Sequence, residues 1–409
     1  MKLKKPELLA PAGNLEKLKF AIIYGADAVY CGGNNFGLRA GADNFSFDEL
    51  KKGAEFAHNN LAKIYITVNM IPHNEDLEKL PDYLHQLEEI AVDGLIISDP
   101  GVLSIIKRNK IEIPLHLSTQ ANAVNWESVN FWVEQGFERI ILARELSKNE
   151  IIEIRDKTNV ALEMFIHGAM CISYSGRCLL SNYMINRDAN RGDCAQPCRW
   201  KYYLMEEKRP GEFYPVFEDE KGTYIFNSKD LALINNIPEI IEMGIDSLKI
   251  EGRMKSLYYV ATITGIYRRL IDKYFKNPDD FELKENWLDE IRKVSHRDYT
   301  TGFFENKADS SAQNYSSSSY RRYYKFMGIV KKYDPQNKEA LIEVRNKMKV
   351  GDMLEIIGPD IDYFKYEVKY IINEDGKRVK EAPHPRQLIR IPISREVKPY
   401  YLLRKERDE

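Results

Sequence analysis

The stretch KIYITVNMIPHNEDLEKLPDYLHQLEEIAVDGLIISD, residues 63–99, contains one complete strand–helix–strand pattern. Its first run, KIYITVNM (Lys63–Met70), and its last run, DGLIISD (Asp93–Asp99), stay apolar through their middles. Such continuity is typical of strands that are covered on both faces, as in a parallel sheet. Between them, DLEKLPDYLHQLEEIAV has the apolar spacing of an amphipathic helix. The stretch therefore predicts a βαβ unit.

The same pattern repeats along the first 255 residues. Six further runs predict strands, and helical patterns lie between most of them: Glu7–Gly13, Asp27–Gly33, Ile113–Gln120, Arg139–Leu146, Ala161–Gly168 and Asp246–Arg253. Several helical patterns begin with Asn, Asp or Ser in the N-cap position. Eight strands alternating with helices predict a TIM-like (β/α)8 barrel. A doubly wound open sheet is the alternative, but no G-x-G-x-x-G follows the first strand, which weakens its dinucleotide-binding form.

The C-terminal part of the chain has a different pattern. A Ser-rich stretch, ADSSAQNYSSSSY (Ala308–Tyr320), is typical of a linker. Short β-type runs such as FMGIV and QLIRIPI follow, separated by turn residues, and predict a small antiparallel β-barrel. We therefore expect an α/β barrel domain over residues 1–307 with a cysteine-containing insert at about 168–225, a linker over 308–322, and an all-β barrel domain over 323–409.

Composition narrows the class of protein. The chain is 44% hydrophobic and 30% charged, as expected of a globular protein, and no apolar run is long enough to cross a bilayer. The N-terminus, MKLKKPELLAPAG, lacks the apolar core of a secretory signal, so we expect a cytoplasmic protein with reduced thiols. The net charge is −8 over residues 1–320 and +6 over residues 321–409. A basic terminal module indicates an anionic partner, although only weakly.

Four of the five cysteines lie within 28 residues, with the spacing C-x6-C-x15-C-x3-C: Cys171, Cys178, Cys194 and Cys198. This insert follows the seventh predicted strand, so it starts at the face of a barrel where active sites are built. The spacing does not match the paired ligands of zinc fingers. An iron–sulfur cluster, a zinc ion, and buried or redox-active thiols all remain open. The fifth, Cys31, ends the second predicted strand and is expected to be a small buried hydrophobe.

The segment EMFIHGAMCISYSGRCLLS, residues 163–181, carries a motif that is similar to the signature of the collagenase-like peptidase family, peptidase family U32. The motif comprises Glu163, Phe165, the Gly168–Ala169 pair, Cys171 and the Gly176–Cys178 tripeptide. Three other stretches also resemble the family: LLAPAG near the start, NSKDL (Asn227–Leu231) and KIEGRMKS (Lys249–Ser256). The resemblance covers nearly the whole chain.

The resemblance implies more than the fold. The family name implies proteolysis, but the group most similar in length and layout consists of tRNA 5-hydroxyuridine synthases. For this chain that implies a tRNA-modifying hydroxylase acting at the wobble uridine without O2, with prephenate as hydroxyl donor. Sister groups, which hydroxylate ribosomal RNA or a quinone, imply a 4Fe–4S cluster on Cys171, Cys178, Cys194 and Cys198. Some relatives carry a ligand cysteine where this chain has Ala232, so Cys198 would supply the fourth thiolate.

Polar residues at the predicted strand ends should converge on one mouth of a barrel. Arg144 and Arg253 suit a dicarboxylate such as prephenate, because a guanidinium pairs with a carboxylate in a bidentate manner. We expect these substrate-binding residues: Arg39, Asn69, Gln120, Arg144, Lys249 and Arg253. We expect these catalytic residues: Glu163, His167 and Glu251. A peptidase would instead use His167 with Cys171 as a Cys–His pair, although no H-E-x-x-H or G-x-S-x-G is present.

A basic and aromatic segment could contact RNA. It is SYRRYYKF (Ser319–Phe326), and further basic residues follow: Lys331, Lys332, Arg345, Lys347 and Lys349. Arg and Lys would meet phosphates while Tyr stacks on an unpaired base. The alternative is that the tyrosines pack a small β-domain and the lysines are merely solvated. A zinc-stabilised RNA-binding protein without catalysis therefore also remains open.

Overall fold

A computed structural model describes residues 4–33, 36, 44–171, 178–187, 189, 193–199, 203–204, 214–215, 228–305 and 320–407. Most of the predicted insert over 168–225 and of the predicted linker over 308–322 lies outside these residues. The strands of the N-terminal part are β1 (Glu7–Pro11), β2 (Ala28–Cys31), β3 (Lys63–Val68), β4 (Gly94–Ile97), β5 (Leu115–Leu117), β6 (Arg139–Ile141), β7 (Ala161–Ala169), β8 (Tyr203–Leu204), β9 (Tyr214–Pro215), β10 (Asp230–Ala232), β11 (Ser247–Ile250) and β12 (Tyr299–Thr300).

Eight of these strands form a closed parallel barrel. Strands β1 to β7 pair in chain order, β11 pairs with β7, and β11 also pairs with β1. Each of the eight predicted runs contains one barrel strand. The predicted TIM-like barrel is therefore confirmed, and the open doubly wound sheet is excluded because the two ends of the sheet are joined.

The described residues form eleven helices, which are α1 (Leu15–Ile23), α2 (Phe47–Asn59), α3 (Asn74–Leu77), α4 (Leu80–Glu89), α5 (Pro100–Arg108), α6 (Trp126–Glu134), α7 (Lys148–Lys157), α8 (Leu180–Ile185), α9 (Ile237–Glu242), α10 (Leu257–Lys276) and α11 (Glu285–Arg292). Those that follow the barrel strands cover the outside of the barrel. No described helix combines the length and the apolarity that a membrane span needs.

Side-chain caps fix where several helices begin. Asn14, Ser46, Asp99, Ser147 and Ser256 each accept a hydrogen bond from a backbone N–H in the first turn of the helix that follows. These bonds satisfy N–H groups that have no partner within the helix. The chain thus enters the next helix within a few residues of β1 and of β4, whereas α2 begins at Phe47, well after β2 ends at Cys31.

One predicted helix is divided in the structure. The pattern DLEKLPDYLHQLEEIAV reads as one helix, but α3 ends at Leu77 and α4 starts at Leu80, with Pro81 in its first turn. Proline has no backbone N–H and fits only where that donor is not needed, at the start of a helix. Pro81 therefore begins a new helix here.

Strand β7 continues beyond the barrel. Its last residues, from His167 to Ala169, pair in antiparallel fashion with β10, and β12 extends this ladder on the other side of β10. The backbone of Gly168 has φ of +114°, and a Cβ on it would lie 2.5 Å from the carbonyl oxygen of Glu251. Only glycine fits this close approach. The extension carries the chain to Cys171 at the barrel mouth.

The C-terminal part is an antiparallel all-β domain, as predicted. Its strands are β13 (Tyr324–Asp334), β14 (Glu339–Val344), β15 (Met348–Lys349), β16 (Met353–Gly358), β17 (Ile361–Glu367), β18 (Ile371–Ile372), β19 (Arg378–Val379), β20 (Glu381–Ala382), β21 (Leu388–Pro392) and β22 (Leu402–Glu406). Eight of them form one sheet in the order β17-β16-β22-β13-β14-β21-β18-β19. The domain has its own apolar core, which includes Ile342, Ile356 and Leu403.

A buried cation joins the two domains. The side chain of Arg404 on β22 is fully buried and donates to both carboxylate oxygens of Glu290 on α11, at 2.7 Å each. It also donates to Glu355 on β16 at 2.8 Å, and Lys293 bonds the same two carboxylates at 2.8 and 3.1 Å. Nearby, Phe326 stacks on Tyr258 of α10 with ring centroids 5.7 Å apart. The domain interface is therefore specified by charge as well as by packing.

Replacing Arg404 should destabilise the whole protein. Arg404→Met leaves Glu290 and Glu355 buried with one cation fewer, and removing one partner of a buried pair costs about 3–5 kcal/mol. The free energy of unfolding from urea titration measures this loss. Arg292→Met is the matched control, because Arg292 and Asp289 on the same helix form an exposed ion pair at 3.5 Å, worth about 0–1 kcal/mol. Equal effects of the two substitutions would contradict the assignment.

Candidate functional site

A cavity of about 580 Å³ opens at the C-terminal ends of the barrel strands. This is the face on which the loops of a TIM-like barrel build active sites, and the volume is in the range of small-molecule sites. Ten of the thirteen predicted site residues line it: Asn69, Gln120, Arg144, Cys171, Cys178, Cys194, Cys198, Lys249, Glu251 and Arg253. Residues distant in sequence thus meet because their strands end side by side.

All four clustered cysteines lie on this cavity. Cys171 is exposed, and Cys178, Cys194 and Cys198 are half-buried. Within the described part of the chain, no three His, Cys, Asp or Glu side chains are arranged to hold a single metal ion. The fifth cysteine, Cys31, is fully buried in the barrel core, and burial raises the pKa of its thiol to about 12. Cys31 is thus held as a neutral thiol, apart from the cluster of four.

Hydrogen bonds position the cysteines of the insert. The N–H of Gln196 donates to Sγ of Cys194 at 3.3 Å, and the N–H of Ala195 donates to Oγ of Ser181 on α8 at 3.0 Å. Cys198 lies in the short 3-10 turn Pro197–Arg199. Backbone N–H groups that approach a thiolate stabilise its negative charge. The segment around Cys194 therefore suits a charged sulfur ligand.

A chain of buried charges runs through the barrel interior to the cavity floor. Lys249 on β11 donates to Glu163 on β7 at 2.7 Å, and Arg139 on β6 bonds the other oxygen of Glu163 at 3.1 Å. Arg139 also bonds Glu7 on β1 at 2.6 Å, and Glu7 accepts from Tyr65 at 2.6 Å. Four side chains of alternating charge thus cross the interior.

This series of ion pairs gives Glu163 a supporting role in place of the predicted catalytic one. Glu163 is fully buried and is not among the described residues that line the cavity, whereas Lys249 is. Glu163 thus holds the ammonium of Lys249 from beneath. Burial lowers the pKa of Lys249, and the attraction of Glu163 opposes that shift. Arg139 was not predicted to belong to the site, because it lies at the start of a strand and the prediction considered strand ends. Only the pairing register of the barrel strands brings it to Glu163.

Arg144 is held in place at the cavity by three contacts. Its guanidinium lies over the Phe165 ring at 4.0 Å, donates to the carbonyl oxygen of Ala169 at 2.6 Å and approaches Glu251 at 3.9 Å. Its Nε is buried and has no hydrogen-bond partner among the described residues. A buried donor that lacks a partner is costly unless a ligand supplies one. Glu251 in turn accepts from the hydroxyl of Tyr30 at 3.3 Å.

Arg253 is fixed by contacts with β3 and with the segment that precedes α2. Its guanidinium donates to Oγ1 of Thr67 at 3.0 Å and to Oδ1 of Asn44 at 2.8 Å. It lies so close to Gly32 that a Cβ there would be 2.7 Å from it. Because any side chain at position 32 would displace the guanidinium, the glycine makes room for it. Arg253 is thereby rigid and only 3% exposed.

Two amide side chains complete the polar lining. Asn69 donates to Oγ of Ser118 at 3.1 Å, which orients its amide. The side-chain oxygens of Asn69 and Gln120 are both buried without a hydrogen-bond partner in the described part of the chain. Unsatisfied buried acceptors favour a ligand that brings N–H or O–H donors. The cavity therefore combines cations, thiols and free acceptors.

His167 lies away from the cavity. Its ring bonds the hydroxyl of Tyr267 on α10 at 3.2 Å and contacts the rings of Tyr259 and Tyr299. The ladder between β7 and β11 shifts register between the pairs Lys249–Phe165 and Ile250–His167. Such an irregularity turns a side chain to the other face of the sheet, so the structure does not bring His167 together with the other predicted residues. Arg39 lies outside the described residues.

Some lining residues were not predicted to belong to the site. They are chiefly Tyr30, Thr67, Lys255, Tyr259, Tyr320 and Arg322. Lys255 belongs to the KIEGRMKS motif, which could have indicated it. Tyr320 and Arg322 belong to the segment considered for RNA contact, but no sequence signal placed that segment at the barrel mouth.

Comparison with known proteins agrees with this architecture. The family model described as "Peptidase family U32" matches residues 13–314, and the model of the "Peptidase family U32 C-terminal domain" matches residues 322–404. The chain belongs to peptidase family U32. The resemblance drawn from the cysteine segment is thus confirmed.

Proteins named for RNA hydroxylation resemble this chain over most of its length. It is 45% identical over 402 residues to tRNA hydroxylation protein P1 of Bacillus subtilis, covering 98% of this chain and 95% of that protein. It is 38% identical to tRNA hydroxylation protein P of Escherichia coli, covering 98% and 96%. It is 39% identical over 277 residues to a 23S rRNA 5-hydroxycytidine synthase of E. coli, covering 67% of this chain and 40% of that protein.

The buried state of His167 predicts a pH dependence of stability. Burial lowers its pKa to about 3, whereas an unfolded histidine titrates near about 6.5. Between these values the unfolded chain binds one proton more than the folded chain, so the free energy of unfolding falls as the pH is lowered through this window. His167→Gln should reduce that slope by about 1.4 kcal/mol per pH unit. Urea titrations between about pH 4.5 and 7.5 measure it; identical slopes would contradict the prediction.

Proposed function

We propose that this protein is a tRNA hydroxylase that converts a uridine, at the wobble position, to 5-hydroxyuridine. Its relatives in B. subtilis and E. coli are named tRNA hydroxylation proteins, and each match covers 98% of this chain. The observation that carries the proposal is the single cavity on which four thiols, the cations Arg144, Lys249 and Arg253, and two unpartnered amide oxygens meet. A proteolytic role has less support, because His167 packs against α10 instead of beside a cysteine.

The amide oxygens support a pyrimidine as the reacting group. Uracil carries one N–H donor between two carbonyl acceptors, and Asn69 and Gln120 offer the acceptors that such a donor needs. Serine and lysine donors lie on the same cavity to meet the carbonyls. The base must leave its stack to enter, and this costs least for a nucleotide in a loop.

The cations support an organic acid as the second substrate. Arg144 and Arg253 stand on different strands, so each can hold one carboxylate and together fix the orientation of a dicarboxylate such as prephenate. Lys249 adds a third positive charge at the cavity floor. Exchange of the C5 hydrogen for hydroxyl oxidises the base by two electrons, and we propose that the organic acid donates the oxygen in place of O2 and is reduced accordingly. Glu251 is the carboxylate on the cavity that can accept the C5 proton.

The thiols support an iron–sulfur cofactor. Cys171, Cys178, Cys194 and Cys198 offer the four sulfur ligands that a 4Fe–4S cluster requires, and the N–H of Gln196 already approaches one of them. A cubane cluster is wider than one ion, so its ligands need not converge on a single point as those of zinc do. When bound there, such a cluster would supply electron transfer or Lewis-acid chemistry next to the substrate.

Nucleoside mass spectrometry tests the function directly. Purified protein, supplied anaerobically with reductant, prephenate and tRNA from a strain lacking the modification, should form 5-hydroxyuridine. Arg144→Met should lower kcat/KM about a hundredfold, because the two charge-assisted hydrogen bonds from the guanidinium to a carboxylate of the organic acid are lost. Phe165 and the strand pairing remain, so the variant should stay folded. Wild-type protein that leaves tRNA unchanged but hydroxylates 23S rRNA would move the function to the ribosome.

Iron content and absorption test the cofactor. Protein purified without air should be brown and absorb broadly near about 400 nm, as expected of thiolate-to-iron charge transfer. Cys178→Ser and Cys194→Ser should lose most of the iron and the colour. Cys31→Ala is the matched control and should keep both, because Cys31 lies in the core with its thiol neutral. One equivalent of zinc and no iron in wild-type protein would contradict the cluster.

A further inference from the structure

The rim of the cavity includes residues that precede the C-terminal domain. Tyr320 and Arg322 line it, together with Met254 and Lys255, which follow the last barrel strand. The segment before β13 therefore borders the opening of a site that is otherwise built by the barrel.

A short backbone pairing fixes how this segment is presented. The N–H of Arg321 donates to the carbonyl oxygen of His296 at 2.8 Å, and the N–H of His296 donates back at 3.3 Å. The Arg321 guanidinium is bonded by Asp298 at 2.6 Å. Side chains alternate along an extended chain, so Tyr320 and Arg322 face the cavity when Arg321 faces Asp298.

Tyr320 is held among cations. Nζ of Lys255 lies 4.4 Å from the centre of its ring, and Cζ of Arg297 lies 5.1 Å from it. Cations over an aromatic ring stabilise its position and attract an anionic chain to the same place. Tyr320 is half-buried, so part of it remains accessible at the rim.

Three of the basic residues on the C-terminal domain that were considered for RNA contact are neutralised by acidic neighbours. Lys331 pairs with Glu343 at 3.2 Å, Arg345 pairs with Glu343 at 2.7 Å, and Lys347 pairs with Glu381 at 2.9 Å. Arg322 differs from these. It is exposed, it lines the cavity, and it has no ion-pair partner among the described residues. Its charge is therefore available at the rim.

We propose that Tyr320 and Arg322 form a docking rim for a single-stranded RNA segment, in which Arg322 pairs with a phosphate beside the target nucleotide and Tyr320 packs against the displaced base. This inference rests on the proposed function and specifies how its RNA substrate is held. Guanidinium groups bind phosphate in a bidentate manner, and aromatic rings stack on unpaired bases whatever their sequence. A duplex offers phosphates but no displaced base, so the rim selects loops.

Binding of a fluorescently labelled anticodon stem-loop, measured by anisotropy over a series of salt concentrations, tests the rim in the full-length protein. Arg322→Glu should weaken binding about tenfold or more, since a charged hydrogen bond is lost. It should also reduce the steepness of the plot of log binding constant against log salt concentration by about one. Tyr320→Leu should weaken binding to a similar extent with an unchanged slope, because stacking carries no charge. Lys380→Glu, the same charge reversal at an exposed lysine elsewhere on the C-terminal domain, should remain within about twofold of wild type.

Three outcomes would overturn the rim: wild-type affinity in Arg322→Glu, equal weakening by Lys380→Glu, or a raised KM for the organic acid with RNA binding intact. The last outcome would make Arg322 a small-molecule contact. The proposal of the docking rim and the proposed function can be contradicted independently of each other. If wild-type protein hydroxylates tRNA and Arg322→Glu binds it normally, only the rim is wrong. If RNA binding depends on Arg322 but no 5-hydroxyuridine forms, only the chemistry is wrong.

Discussion

The pairing of β11 with both β7 and β1 is the constraint on which the rest of the structure depends. It joins the first and last parts of the barrel domain, which lie about 240 residues apart in sequence, and closes the sheet. Closure brings eight strand ends around one mouth, so a lysine from the last strand, an amide from the third and an arginine beyond the sixth become neighbours. Without closure, the cysteines that follow β7 would lie at an open edge of the sheet, with no strand ends facing them across a cavity.

Closure also creates an interior in which charges must compensate one another. Glu7, Arg139, Glu163 and Lys249 come from four different strands and alternate in sign. An isolated charge there would be strongly destabilising, whereas a chain of hydrogen-bonded pairs is tolerated. At the cavity floor, the last member of this series, Lys249, keeps its ammonium group in a fixed place. The same arrangement recurs at the domain interface, where Arg404 lies between Glu290 and Glu355.

The sequence predicts the architecture well because the signals for it are local. Continuous apolar runs mark the barrel strands, and strand ends predict which polar residues meet. The direction of His167 could not be predicted, since it depends on a register irregularity between two distant strands. The role of Glu163 depends on partners from two other strands. The division between α3 and α4 could have been found, because Pro81 indicates it directly.

The ion pairs of Arg404 have a consequence for recognition. They fasten the C-terminal domain to α11, and Arg321 fastens the preceding segment to the barrel through Asp298. These contacts hold Tyr320 and Arg322 in one position beside the cavity. For the proposed RNA substrate, a target base must leave its stack before it can reach them. Discrimination between paired and unpaired nucleotides would follow from the mechanics of the RNA itself, with no need for the protein to sense base pairing.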